Sequence, residues 1–417
     1  MPRSAAHRRA LALLGLVAVA VVAAAALAGC GSSGGNGGDD GAGGGSGGAA
    51  TTDAAPAPAA LPDGADLYDP PADLRAGPAG SLVWYEELAP VGRARAWRTL
   101  TRSTDARGEP AWVSGMVFRP GADAPDGGFP VVVWAHGTAG VADACAPSRA
   151  GAQVPSIQRL LGAGFVVVAP DGAGLGPPGP AEYLVGESEG HALLDAARSV
   201  AAVPGADAGP RTALWGYSSG GQAALFAAQD APDYAPELEV IGTAAVAPVS
   251  DMARFAGRAS TLPLTFGYSF LTFGSWADVY DDADVSTIFT PAVVAELPLL
   301  QEACAPTIAP HFALTPIDQL RLADPEATPP WPALMADNSV GDAPVTGPLL
   351  LVQGTEDPII APESTTALSE RQCAAGATVE LRPVPGRHDV VLAQGDAIAL
   401  WFTERSAGVP ATSSCSP

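Results

Sequence analysis

The sequence predicts an α/β protein: a doubly wound, mostly parallel sheet interrupted late in the chain by an inserted piece. Three observations lead there. Four solid apolar runs, Val131 to Ala135, Phe165 to Ala169, Thr212 to Trp215 and Val240 to Val246, have the unbroken character of strands hidden on both faces. Helical patterns at about Val154 to Leu161 and Gly190 to Val203 separate them, so strands and helices alternate. About 95 residues then lie between the strand ending near Pro248 and the next one, near Pro348. That is too many for one crossover connection, so residues of about 251–345 are expected to form an inserted piece.

The remaining elements follow in order. Arg95 to Thr101 and Trp112 to Arg119 read as strands flanking the turn-like Asp105-Ala106-Arg107-Gly108, an antiparallel opening to the sheet. Gln222 to Ala228 reads as a helix directly after Gly216-Tyr217-Ser218-Ser219-Gly220. Pro348 to Gln353 and Thr378 to Val384 complete the sheet, with helices at about Pro362 to Ala374 and Val391 to Glu404. The inserted segment is dense in aromatics, among them Phe255, Phe266, Tyr268, Phe270, Phe273, Trp276, Phe289, Phe312 and Trp331, in a chain that is only 6% aromatic. They are expected to pack the insert's own core, with several lining an apolar acyl pocket.

The front of the chain differs in kind. Residues 1–29 hold three arginines and no acid, and Ala10 to Ala28 is apolar without a charge, the pattern of an export signal. A run of this length would also just span a bilayer as an uncleaved anchor. Leu27-Ala28-Gly29-Cys30 resembles the bacterial lipobox, which makes Cys30 the expected lipidation site and the N-terminal lipid the expected link to a membrane. Residues 30–65, rich in Gly, Ser, Ala and Pro, are expected to be a disordered tether, and residues 66–417 the catalytic domain. The protein is thus expected on the outer face of the cytoplasmic membrane, or otherwise secreted.

Composition excludes some functions. With 417 residues, 47% of them hydrophobic, the chain buries a large core. Its net charge of −23 repels phosphate backbones and argues against nucleic-acid binding. Cys145, Cys304, Cys373 and Cys415, outside the cytoplasm, suggest two disulfides with three possible pairings; none has zinc-ligand spacing, so no metal is expected. Phe165 to Gly176 is a strand followed by glycines, but the third glycine is misplaced for a dinucleotide loop and Pro177-Pro178 would break the required helix. No cofactor is expected. Oligomeric state is not legible; a monomer is the default expectation.

The chemistry is carried by three loops. Gly216-Tyr217-Ser218-Ser219-Gly220, between strand and helix, has the layout of a nucleophile elbow, in which a strained turn lifts the serine hydroxyl clear. A serine needs a base, and the base an acid to fix its tautomer. Gly354-Thr355-Glu356-Asp357 follows one strand and Gly386-Arg387-His388 the next, giving the chain order Ser218, Asp357, His388. His7, His191 and His311 all precede the acid position; Asp251 and Glu356 are the rival acids, and Asp389 is expected to cap the last helix. An oxyanion hole needs two N–H donors: the N–H of Ser219, and one from His136-Gly137-Thr138-Ala139-Gly140, where Thr138 and Gly140 are both candidates. His136 is expected to be structural within that loop.

These residues resemble the secretory lipase family (lipase A-like) of α/β-hydrolases, found in fungi and actinobacteria. The resemblance rests on Arg102 to Pro110, on Trp134-Ala135-His136-Gly137-Thr138-Ala139-Gly140 running on to Cys145-Ala146-Pro147-Ser148, on Gly216 to Gly221, and on Gln353 to Asp357. It implies an α/β-hydrolase fold, a helical cap over a long acyl tunnel, and disulfides Cys145 to Cys304 and Cys373 to Cys415. The tether and lipid anchor depart from the freely secreted members. The expected activity is hydrolysis of acyl esters, small-molecule or lipid, through an acyl-enzyme on Ser218. The alternatives are the same triad acting on amides or cell-wall acyl groups, and a surface-displayed binding module without catalysis.

Overall fold

The computed structural model describes residues 57–341 and 343–415. The signal segment 1–29, Cys30 and the tether up to residue 56 lie outside the described residues. Ten strands form one sheet: β1 (Ala59–Ala60), β2 (Leu82–Val91), β3 (Ala94–Thr104), β4 (Pro110–Arg119), β5 (Phe129–Ala135), β6 (Val166–Pro170), β7 (Ala208–Tyr217), β8 (Glu239–Val246), β9 (Leu349–Gly354) and β10 (Val379–Val384). Their spatial order is β1-β2-β3-β4-β6-β5-β7-β8-β9-β10. β2, β3, β4 and β6 pair antiparallel, and from β6 to β10 every pairing is parallel.

The apolar runs form central strands because both faces are covered. Along β5, Val131, Val133 and Ala135 pack with Leu193 and Ala223 of the helices Gly186–Ser199 and Ser219–Tyr234. Val132 and Trp134 point the other way, into a cluster with Leu160, Trp401 and Phe402 from the helices Ile157–Gly162 and Val390–Ser406. This period-2 division repeats at β9, where Leu349 and Leu351 join the first layer and Leu350 and Val352 the second. Truncating one such residue to alanine costs about 2–5 kcal/mol. The helix Ser219–Tyr234 presents Ala223, Ala227 and Ala228 to its neighbour, and the two lie so close that a Cβ on Gly190 would stand 2.8 Å from the Ala227 nitrogen.

The chain steps from β5 to β6 on one side and then to β7 on the other, so the order reverses at β5. Open α/β sheets bind ligands at such a reversal, beyond the carboxyl ends of the strands. The loops after β5 and β7 both end there.

Between β8 and β9 the chain builds a helical layer, including Met252–Ala259, Phe266–Val279, Ala305–His311 and Trp331–Asp337. Phe266–Val279 is buried along most of its length, with Asp278 exposed near its end, because other cap elements cover it. Phe255, Phe266, Phe270, Phe273, Trp276, Phe289, Phe312 and Trp331 are all buried in this one cluster, several edge to face, such as Phe273 and Trp331 at 4.9 Å. The rings therefore fill the cap. Phe255 also lines a small cavity with Val249 and Ile360.

Other departures are local. Leu82–Val91 forms a strand that its acidic, Pro-containing second half obscures in the sequence. Ala59–Ala60 pairs with Trp84 and Tyr85, and Leu61 and Ala65 pack against the cluster around Trp84. Ordered structure thus begins before residue 66, inside the stretch that composition alone assigns to the tether. Asp389 stands at the N-cap of the last helix, but its side chain makes no capping bond.

Candidate active site

Ser218 lies between β7 and the helix Ser219–Tyr234 with φ of 56° and ψ of −118°, an uncommon conformation for a residue with a Cβ. Two glycines make it possible. A Cβ on Gly216 would overlap the Gly220 carbonyl oxygen, and one on Gly220 would overlap that of Ala135. The elbow is pinned by the Ser218 N–H donating to Val246 O at 2.9 Å. The hydroxyl is left facing His388, whose Nε2 is 2.9 Å from Ser218 Oγ.

His388 follows β10, and its Nδ1 lies 2.8 Å from Asp357 Oδ2. Asp357 follows β9 and is buried, with its oxygens fully used: Oδ1 accepts from the N–H groups of Ile359 (2.8 Å) and Ile360 (3.0 Å), and Oδ2 also from Gln353 Nε2 (3.1 Å). Burial by itself would raise this carboxyl's pKa; the bond and charge interaction with His388, together with the two backbone donors, overcome burial and hold it below the usual range. It is therefore ionised wherever the protein is folded near neutrality.

The rival residues lie elsewhere. Asp251 caps the helix Met252–Ala259, accepting from Arg254 N at 3.0 Å. Glu356 is exposed beside Asp357. His191 stacks on Tyr234 with ring centres 3.7 Å apart, and His311 faces Glu296 in the cap.

On the other side of Ser218 is the loop after β5. His136 is held inside it, Nδ1 against Gly137 O (2.6 Å) and Nε2 against Asp171 O (2.9 Å). Thr138 Oγ1 lies 3.4 Å from Ser219 Oγ and 2.7 Å from the Tyr183 hydroxyl. Gly140, with φ of +132°, packs against the Cys145–Cys304 disulfide: a Cβ there would meet Cys145 Sγ at 2.9 Å. Of the two loop candidates, Thr138 is the one whose side chain reaches Ser219. The N–H of Ser219, in the first turn of its helix, is among those without an intrahelical partner.

The disulfides are Cys145–Cys304 and Cys373–Cys415. The first ties the cap to the loop after β5, and beside it the Ala305 N–H donates to Ala139 O at 2.9 Å. Among the described residues there is no cluster of His, Cys, Asp and Glu suited to a metal.

Three participants escape a linear reading. Gln353 supports Asp357 and accepts from Thr365 Oγ1 at 2.6 Å; its signal is an amide ending an otherwise apolar strand. Tyr183 and Glu189 have none. Both line a cavity of about 40 Å³ beside Thr138 and Ser219. Glu189 accepts from Ala173 N at 3.3 Å, and burial first, with the nearby Glu182 adding to it, raises its pKa to about 8.

A serine on a strained turn between a parallel strand and a helix, with an acid and a histidine in the loops after the last two strands of the sheet, β9 and β10, defines the α/β-hydrolase class. A sequence profile of the secretory lipase family matches residues 144–414, well over half of the chain. The chain belongs to the secretory lipase family. It is similar to a probable inactive lipase of Mycobacterium tuberculosis, at 27% identity over 84% of each chain. It is also similar to lipase A of Arthroderma benhamiae, at 26% identity over 78% of this chain and 74% of that one. Its fold matches Candida antarctica lipase A in its closed state with a TM-score of 0.73, at 18% identity over 85% of this chain and 88% of that one. Family and fold together support ester hydrolysis, and the family is one of exported proteins. Among the described residues no helix is long and apolar enough to cross a membrane.

Proposed function

We propose that the chain hydrolyses carboxylic esters through an acyl-enzyme on Ser218. The observation that carries this reading is the unbroken chain of hydrogen bonds from Ser218 Oγ through His388 to Asp357 Oδ2, at 2.9 and 2.8 Å. His388 Nε2 takes the hydroxyl proton as Oγ bonds to the ester carbon, and Asp357 steadies the imidazolium. The N–H groups of Ser219 and Thr138 receive the oxyanion. Collapse of the tetrahedral intermediate breaks the bond to the alcohol, which leaves with the proton from His388. Water, deprotonated by the same imidazole, then releases the acid and restores Ser218.

One of the similar proteins is described as inactive, so the test must separate a working site from a relic. A fluorophosphonate probe should label the wild type and not Ser218→Ala. The same substitution should reduce turnover of nitrophenyl esters by about 10⁶-fold. Substantial residual activity in the alanine variant would sink the assignment.

The reading extends to location. Leu27-Ala28-Gly29-Cys30, followed by a glycine-rich stretch, supports export as a lipoprotein held at the membrane by acylated Cys30. The wild type should then incorporate labelled palmitate and Cys30→Ser should not; an unlabelled wild type would reject the anchor.

A further inference from the structure

Tyr183 is gripped from two sides. Its main chain is held by the cap: the Tyr183 N–H donates to Ser275 Oγ at 3.1 Å, and the Trp276 indole N–H donates to Tyr183 O, also at 3.1 Å. Ser275 in turn donates to Ala181 O at 2.6 Å, so this segment is clamped to the cap helix Phe266–Val279. Its side chain faces the other way, with the phenol oxygen 2.7 Å from Thr138 Oγ1, itself 3.4 Å from Ser219 Oγ.

We propose that Tyr183 is a positioning residue for the hydrolytic site, fixing the orientation of the Thr138 hydroxyl beside the oxyanion and passing the seating of the cap on to it. The proposal rests on the ester-hydrolase reading of Ser218.

The argument is one of proton placement. Tyr183 is buried, and among the described residues Thr138 is the hydrogen-bond partner of its phenol. A buried phenol donates its single proton. Burial pushes its pKa upward, so it stays a donor throughout the working range. Once Thr138 Oγ1 accepts that proton, its own is free to point toward the developing negative charge. Without the phenol, the threonine side chain regains its alternative rotamers and that proton has no fixed direction. Three cap hydrogen bonds hold the segment carrying the phenol, so displacement of the helix Phe266–Val279 displaces Thr138's partner.

The test is Tyr183→Phe, which removes one oxygen and keeps the ring. On a nitrophenyl ester kcat should fall about 10- to 100-fold, somewhat less than for losing an oxyanion donor outright, with KM within about twofold. Affinity for a trifluoromethyl ketone, which adds Ser218 to form a bound oxyanion, should fall by the same factor. In a Thr138→Val background Tyr183→Phe should add no further loss, whereas Thr138→Ser should keep the sensitivity. Ser275→Ala should give a smaller loss of the same kind, in kcat rather than KM. An unchanged kcat, a change confined to KM, or a loss that persists undiminished in the Thr138→Val background would overturn the positioning role. Fluorophosphonate labelling separates the two readings: a labelled wild type with an unaffected Tyr183→Phe variant rejects the role of Tyr183 alone, and an unlabelled wild type rejects both.

Discussion

Two carboxyl groups flank the site and are pushed in opposite directions. Asp357, on the His388 side, is held below its ordinary range; Glu189, on the Thr138 side, is raised to about 8. Asp357 is buried and Glu189 half-buried, so burial alone does not separate them in this direction. The difference lies in donors: Asp357 has Ile359 N, Ile360 N, Gln353 and His388, whereas Glu189 has Ala173 N at 3.3 Å and a second acid, Glu182, nearby. One flank is built to keep a charge and the other to keep a proton. The first is made by strand ends of the sheet, and the second by the helix Gly186–Ser199 together with loops that a disulfide and the cap hold in place.

The largest effect should come from removing the charge on the first flank. Asp357→Asn keeps the shape but presents an amide to His388 Nδ1, favouring the wrong tautomer. A loss of about 10⁴-fold in kcat is expected, the scale seen when a triad acid is made an amide. Nitrophenyl ester kinetics check it, and a loss below about tenfold would mean that Asp357 does not orient the histidine. The stability that Asp357 contributes has its own pH window. Because its folded pKa is lowered, that contribution is complete above the ordinary carboxylate pKa and is lost as pH falls through the folded value.

The second flank should be broken by opening its bridge. Cys145 and Cys304 are 159 residues apart in sequence, so their bond removes much freedom from the unfolded chain. Replacing both by serine should lower stability by about 2–5 kcal/mol, measured by urea denaturation. Activity should also fall under conditions where the variant is fully folded, because Gly140 and Ala139 lose their support against the cap. The Cys373–Cys415 bond closes a span of only 42 residues away from the loop after β5, and the equivalent change there should reduce stability without that loss of activity. Equal effects on activity from both pairs would remove the distinction between the flanks.

The two flanks also differ in how far they can be read from sequence. Asp357 and His388 each sit a few residues beyond an apolar run, and the elbow joins a strand to a helix through glycines, so local pattern singles out all three as candidates. Most of the sheet was legible for the same reason: Val131 to Ala135 or Leu349 to Val352 must be buried wherever they pack. Tyr183 and Glu189 become partners of the site only through packing of a loop and a helix from elsewhere in the chain. Gln353 supports the acid from a strand whose pattern says only that it is buried. The strand Leu82–Val91 was obscured by its exposed, acidic half, and Ala59–Ala60 by composition that reads as tether. The aromatics of the cap declared an apolar cluster, and the structure buries eight of them together.

The smallest expected effect, and the one that sharpens the contrast most, is the pH dependence of stability at Glu189. At low pH this side chain is protonated in both the folded and the unfolded chain. As pH rises past about 4.5, the ordinary glutamate value, the unfolded chain releases its proton, whereas the folded chain keeps it until about 8. Over that interval the folded state binds more protons, so the group's contribution to stability declines with rising pH, by at most about 1.4 kcal/mol per pH unit. Above about 8 both states are ionised and the decline stops. Glu189→Gln imitates the protonated acid at every pH. The variant should therefore match the wild type near pH 4, gain on it steadily toward pH 8 and then run parallel to it. Urea midpoints across this range measure the difference, and parallel curves throughout would show that the carboxyl is charged in the folded protein.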